Sequence, residues 1–263
     1  MTASLLRFAE EFYQHLSFYR DLYESFPDEK SKNVLFHVLK GRLTLNGAEY
    51  HAVKDPVKLQ YLDPEVVSLQ DEVFCDVGAY IGDTAELLMN QYGDRIQKLY
   101  LYEPNGKNCM AARNVTEKYQ SLQTEIIIRP CGVSNINQTS YITDSQSGSR
   151  VNYEGNGETI TLVTLDSDIS EKITFIKMDI EGSELAALQG SQNHIVRDHP
   201  TLAICVYHQV EDIRHIVDWI RNLVPEYQFY LRHYSNRFAE TVLYCIASDE
   251  KIYPSSLLQQ QSC

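Results

Sequence analysis

The sequence predicts an α/β protein, a doubly wound and mostly parallel sheet preceded by a helical extension. Three observations predict it. The run Val-Phe-Cys-Asp-Val-Gly-Ala-Tyr-Ile-Gly-Asp-Thr at 73–84 is a short apolar strand that ends in Asp76, Gly78 and Gly82 and passes into a helix start. The run Leu-Tyr-Leu-Tyr-Glu-Pro-Asn at 99–105 is a second, alternating strand that ends in Glu103, about twenty residues past Gly82. From there to residue 223 strand-like apolar runs alternate with helical periodicities, as a parallel sheet covered on both faces requires.

The elements follow in order. Leu5, Phe8, Phe12, Leu16, Tyr19 and Tyr23 recur at helical spacing, which predicts one amphipathic helix up to the break at Pro27-Asp28. Val34, Leu35, Val38, Leu39 and Leu43 mark a second helix over 32–45, before a polar loop at Asn46-Gly47. Gln60-Tyr61-Leu62-Asp63-Pro64 leads into the first strand, so Tyr61 is a candidate pocket residue. Helices over 84–92 and 108–119 then alternate with strands over 73–77, 99–102 and 125–129, the last ending at Pro130-Cys131-Gly132. Between 139 and 165 the helical period disappears, and Ser147-Gly148-Ser149 and Glu154-Gly155-Asn156-Gly157 predict a β-hairpin excursion or loop. Strands over 174–178 and 202–207 and a helix over 210–223 complete the alternation. The chain divides into a helical extension (1–69), a ligand-binding domain (70–250) and a polar tail (251–263).

The glycine turn carries the chemical signal. A dinucleotide fingerprint places a pyrophosphate on bare backbone at a helix N-terminus through Gly-x-Gly-x-x-Gly. Here Tyr80 stands near the middle glycine's place, and Asp76 puts a carboxylate where it repels phosphate and suits an ammonium group. Glu103 at the second strand's end suits both hydroxyls of a ribose, and Pro104 turns the chain out of the sheet there. S-adenosylmethionine (SAM), a nucleoside with an amino-acid tail and no phosphates, is the cofactor these residues fit. Gly78, Ala79, Tyr80, Gly82, Pro104 and Asn105 join Asp76 and Glu103 as candidate cofactor contacts, and Asn105 has the alternative role of stabilising the turn after Pro104.

Asp76-Val-Gly-Ala-Tyr-Ile-Gly-Asp83, Tyr102-Glu-Pro-Asn105 and Phe175-Ile-Lys-Met-Asp-Ile-Glu-Gly-Ser-Glu184 together resemble the three signatures of FkbM-type SAM-dependent methyltransferases, over about 73–246. Tyr80 stands where that family often has Asn. The resemblance implies a Rossmann-like sheet of seven strands with an antiparallel edge hairpin at 227–233 and 240–247. It also implies a loop at Cys131 and Gly132 facing an adenine. In such sheets ligands sit outside the strand carboxyl ends. There Asp179 is expected to orient the cofactor amine, the acceptor hydroxyl or a metal ion, although no clear ligand set emerges. His208 is the first candidate for the base that deprotonates the acceptor, which contributes about 10²–10⁴ in rate. Glu181 is a candidate substrate contact with the alternative of capping the next helix. Arg232 and His233 are candidates for binding a polar or acidic acceptor.

The implied activity is O-methylation of a small-molecule hydroxyl, on a sugar, glycan or secondary metabolite. A nicotinamide-dependent oxidoreductase and a non-catalytic SAM-binding protein are the alternatives. A net charge of −13 opposes nucleic-acid binding. No apolar run reaches the ~18 residues of a membrane span, and no signal peptide opens the chain, so a cytosolic enzyme is expected. Cys75, Cys109, Cys131, Cys205, Cys245 and Cys263 lack Cys-x-x-Cys spacing, which argues against disulfides and zinc. The sequence leaves the oligomeric state open.

Overall fold

The structure, a computed structural model, describes residues 2–119, 123–145, 148–152 and 157–247. The Ser147 and Glu154–Asn156 parts of the expected excursion, the 251–263 tail and Cys263 lie outside the described residues.

The chain begins with α1 (Thr2–Gln14) and α2 (Leu16–Ser25), two helices where the periodicity predicts one. They part at His15, whose φ of −119° and ψ of 30° leave the helical region. The break leaves the apolar stripe aligned, which is why spacing alone does not reveal it. In α3 (Glu29–Thr44) the Asp28 side chain caps the start by accepting the Ser31 N–H at 2.8 Å. Asn46, read as part of a loop, instead caps a short helix, α4 (Gly47–Val53), through the Ala48 N–H.

The alternating part follows as β1 (Glu72–Val77), α5 (Asp83–Tyr92), β2 (Ile96–Tyr102), α6 (Gly106–Glu117) and β3 (Glu125–Arg129). An excursion of β4 (Gly132–Val133), β5 (Gln138–Ser145), β6 (Gly148–Asn152) and β7 (Glu158–Val163) forms its own four-stranded sheet, and α7 (Leu165–Asp168) returns the chain. Then come β8 (Phe175–Met178), α8 (Glu184–Gln189), α9 (Gln192–Asp198), β9 (Thr201–Cys205), α10 (Asp212–Leu223), β10 (Tyr227–His233) and β11 (Thr241–Ala247).

The main sheet has seven strands in the order β10-β11-β9-β8-β1-β2-β3. The pairs among β3, β2, β1, β8 and β9 are parallel, and β11 runs antiparallel to both β9 and β10, so the expected edge hairpin is present. Every residue of β1 is buried, because helices cover both faces. Its two-residue period sends Val73, Cys75 and Val77 into the core shared with α1–α3 and α10, and Phe74 into the opposite core with Leu88 of α5. Phe74 stacks there on Phe175 at 4.3 Å between ring centroids. Among the described residues no helix is long and apolar enough to cross a membrane.

Arg232 and His233, candidates for acceptor binding, are instead structural. Arg232 is 1 % exposed and donates to Asp63 Oδ2 (2.8 Å), Asp28 Oδ2 (2.7 Å) and Ser31 Oγ (2.9 Å), tying β10 to the start of α3. His233 pairs with Thr241 Oγ1 at 2.9 Å, and burial lowers its pKa to about 4, so the ring is neutral near pH 7. The sequence places both on a strand, but burial on both faces at the C-terminal end of β10 removes them from solvent. Removing one partner of a buried ion pair costs about 3–5 kcal/mol. Arg232→Ala is therefore expected to lose about 3 kcal/mol of stability in urea denaturation while leaving cofactor affinity unchanged; a change in affinity without loss of stability would contradict this assignment.

Candidate active site

The carboxyl ends of β1, β2 and β8 open onto a cavity of about 1180 Å³, whose wall includes Gly78, Tyr80, Glu103, Lys177, Asp179 and Glu240. At one end two turns lock together. The N–H groups of Gly78 and Ala79 both donate to Tyr102 O at 3.0 Å. Gly78 has φ +85°, and a Cβ there would stand 2.1 Å from Asp179 O, so only glycine lets β1 and β8 meet this closely. Gly82, at φ +87°, precedes α5 and lies against Ala112 of α6. The Tyr80 N–H donates to Glu103 Oε2 at 2.9 Å, while the residue as a whole is 55 % exposed. Glu103 Oε1 accepts from Asn105 N (2.9 Å) and Asn108 Nδ2 (3.3 Å). Burial raises the Glu103 pKa, opposed by those three hydrogen bonds. Asn105 caps α6 by accepting the N–H groups of Lys107 and Asn108, the turn-stabilising alternative for this residue.

Asp76 is fully buried and does not line the cavity. Its Oδ1 lies 2.8 Å from Lys177 Nζ, which also donates to Gly78 O at 2.7 Å and sits 5.1 Å from the centroid of the Tyr61 ring. Burial opposes the lysine's charge, but Asp76 and Asp179 outweigh it and hold the ammonium protonated. The arrangement follows from register: Asp76 and Lys177 are direct partners in the β1–β8 ladder.

At the other end Asp179 gathers hydroxyl groups. Its Oδ2 accepts from Tyr61 at 2.8 Å and its Oδ1 from Tyr207 at 3.2 Å. Burial above all raises both phenol pKa values, so both remain donors. Tyr207 reaches on to Glu240 Oε1 at 3.4 Å, and Gln60 Nε2 donates to Glu240 Oε2 at 2.5 Å.

His208 sits behind these groups, its side chain 4 % exposed, with Nε2 3.4 Å from Asp179 Oδ1 and 3.9 Å from Glu181 Oε2. Nδ1 lies 2.9 Å from Oε1 of the fully buried Glu184, an oxygen that also accepts the Ile180 N–H at 2.8 Å. The result is an imidazole held between carboxylates. Burial lowers its pKa, but Glu184, Asp179 and Glu181 outweigh burial and leave it raised above 6.5. Asp179, Glu184 and His208 have ligand-capable atoms within 4.8 Å of one another, and in this structure they pair with each other.

The sequence profile of the methyltransferase FkbM domain matches residues 76–229, more than half of the chain. The chain belongs to the FkbM methyltransferase family. A crystal structure of methyltransferase FkbM from Methylobacillus flagellatus KT is 28 % identical, covers 89 % of this chain and superposes with a TM-score of 0.79. The match spans 59 % of that protein's length. An rRNA methylase from Streptococcus thermophilus is 15 % identical, covers 67 % of this chain and 87 % of its own, and superposes with a TM-score of 0.43, too distant to carry functional weight. Among curated proteins no sequence matches significantly.

In this FkbM-family chain the cavity brings together Tyr61, Gly78, Tyr80, Glu103, Pro104, Asn105, Gly132, Asp179 and Glu181 from the sequence-derived candidates. Gly82 and Ala79 support the turn, and Cys131 is buried beside Gly132. Lys177, Glu184, Tyr207 and Glu240 escaped the sequence reading. Lysine inside the apolar run Phe-Ile-Lys-Met was the available signal for the first, since a buried ammonium requires a partner.

Proposed function

We propose that this protein is a SAM-dependent O-methyltransferase of the cytosol, acting on a hydroxyl of a sugar, glycan or secondary metabolite. The observation that carries this reading is the placement of Glu103 and Asp179 on one cavity, joined by the Gly78 turn. The residues present fit SAM: a buried carboxylate at the end of β2 suits ribose hydroxyls, and the glycine turn admits a ligand against backbone. The acids Asp83, Glu103, Asp179 and Glu181 along the wall disfavour the pyrophosphate of a nicotinamide dinucleotide. When bound, SAM supplies a methyl group on a sulfonium, and the acceptor oxygen forms the new O–CH₃ bond as the C–S⁺ bond breaks toward sulfur.

The chain's own work is to orient the acceptor and take its proton. Asp179 accepts the acceptor hydroxyl's hydrogen bond, held in place by Tyr61 and Tyr207. His208 receives the proton through Asp179, and Glu184 fixes its ring through Nδ1. Asp76 acts through Lys177, which holds the Gly78 carbonyl. Gly132 forms the adenine side, with Cys131 buried beside it.

A protonated imidazole cannot accept a second proton. Turnover is therefore expected to rise with pH through a pKa above 6.5, which burial lowers but Glu184, Asp179 and Glu181 raise, and then level off. His208→Gln should abolish that limb in a pH–rate profile; a limb surviving the substitution assigns the base elsewhere. The acceptor is found by incubating the protein with methyl-labelled SAM and fractionated carbohydrates, lipids and metabolites. Label on a hydroxyl is the expected outcome, and label on nitrogen or carbon would overturn the O-methylation reading.

A further inference from the structure

The acceptor end of the cavity is unusual in what it offers a ligand. Its donors are turned inward. The Tyr61 and Tyr207 hydroxyls donate to Asp179, and the Gln60 amide donates to Glu240. Tyr234, also on the wall, shares its hydroxyl hydrogen bond with Tyr244 at 2.7 Å, and Ser235 Oγ donates to Ala239 O at 2.6 Å. Lys177 is committed to Asp76 and Gly78 O. Among the described wall residues at this end, three carboxylates (Asp179, Glu181 and Glu240) stand against Ser183 and the exposed Lys58. A carboxylate offers about four lone-pair sites, so Asp179, which accepts from Tyr61, and Glu240, which accepts from Gln60, retain capacity even with the one Tyr207 hydroxyl shared between them. The surface therefore asks a ligand for hydrogens and repels negative charge. Glu240 is held in this position by a left-handed backbone, φ 68°, in the turn between β10 and β11.

We infer that the acceptor site selects a non-anionic, donor-rich ring with adjacent hydroxyls and rejects its phosphorylated or carboxylated congeners, with Glu240 as the specificity-determining residue. This rests on the methyl-transfer reading for the identity of the site. A phosphate monoester carries about −1.5 to −2 charges at pH 7 and would meet three carboxylates with its other groups unanswered. Like-charge contacts of this kind discriminate strongly between partners. Arg232 and His233, expected to bind a polar or acidic acceptor, offer such a ligand no cation, because both are spent inside the fold.

The test uses the full chain saturated with S-adenosylhomocysteine and three probes: a neutral methyl hexoside, the matching hexose 6-phosphate and the matching hexuronate. Binding is read by saturation-transfer NMR, and methyl transfer is read separately with labelled SAM. The neutral probe is expected to bind at least about tenfold more tightly than either anion. Glu240→Gln, which removes charge and keeps an oxygen for Gln60, is expected to narrow that ratio severalfold. Equal binding of the three, preference for an anion, binding of none, or a ratio unmoved by Glu240→Gln would overturn the proposal. Loss of methyl transfer with the binding order intact would instead count against the methyl-transfer reading alone.

Discussion

Asp179→Asn is expected to lower turnover by about 10²–10⁴, the usual range for removing a positioned proton acceptor, while cofactor affinity changes only a few fold. The expectation follows from geometry. Asp179 lines the cavity, accepts two tyrosine hydroxyls and lies 3.4 Å from His208 Nε2, against 3.9 Å for Glu181 Oε2, so it is the shorter carboxylate link between the open site and the buried imidazole. Asparagine keeps the shape and one oxygen, but its amide is no proton carrier and its NH₂ opposes the hydroxyl of Tyr61 or Tyr207. Single-turnover kinetics separate this loss from binding. A fall in affinity with turnover at saturation unchanged would assign Asp179 to the cofactor and leave the acceptor's base unexplained.

Glu103→Ala is expected to weaken cofactor binding by roughly 10²-fold or more. Hydrogen bonds to a charged group contribute about 1.5–3 kcal/mol each, and a ribose offers two hydroxyls. The same carboxylate also fixes the Tyr80 and Asn105 N–H groups, so part of the loss comes from the loosened turn between β1 and α5. Glu103→Gln separates the contributions, because the amide oxygen still accepts from one of those N–H groups while the charge is gone. Equilibrium dialysis with labelled SAM reads both variants. Affinity preserved in Glu103→Ala would show that the end of β2 does not hold the ribose.

Much of the fold was legible because its signals are local. Val73–Thr84 and Leu99–Asn105 state a strand, a turn and a helix start in residues whose backbone demands are specific, and β1, β2, α5 and α6 sit where they predict. The antiparallel edge of β10 and β11 was legible only through the family resemblance. The α1–α2 break and α4 were not legible, since one rests on dihedrals that preserve the apolar stripe and the other on an Asn46 cap inside a stretch that reads as loop.

The cavity wall was legible where one residue type carries one physical demand, as with Gly78 and Glu103. It was not legible where function depends on register between distant strands. Asp76 has the right chemistry for an ammonium group, yet the β1–β8 ladder sets Lys177 beside it, so the charge is spent within the protein. Arg232 looks like an anion receptor until Asp28 and Asp63, about 170–200 residues earlier in the chain, close around it. Glu184 begins a helix in the sequence like any first-turn acid, and only the fold turns it onto His208.

The ends of β1, β2 and β8 are proposed to enclose an adenosyl site for a phosphate-free cofactor. Calorimetric titration of the protein with S-adenosylhomocysteine and, separately, with NAD tests it most directly. Saturable binding of S-adenosylhomocysteine and no heat from NAD are expected; saturable binding of NAD without S-adenosylhomocysteine would rule the adenosyl site out.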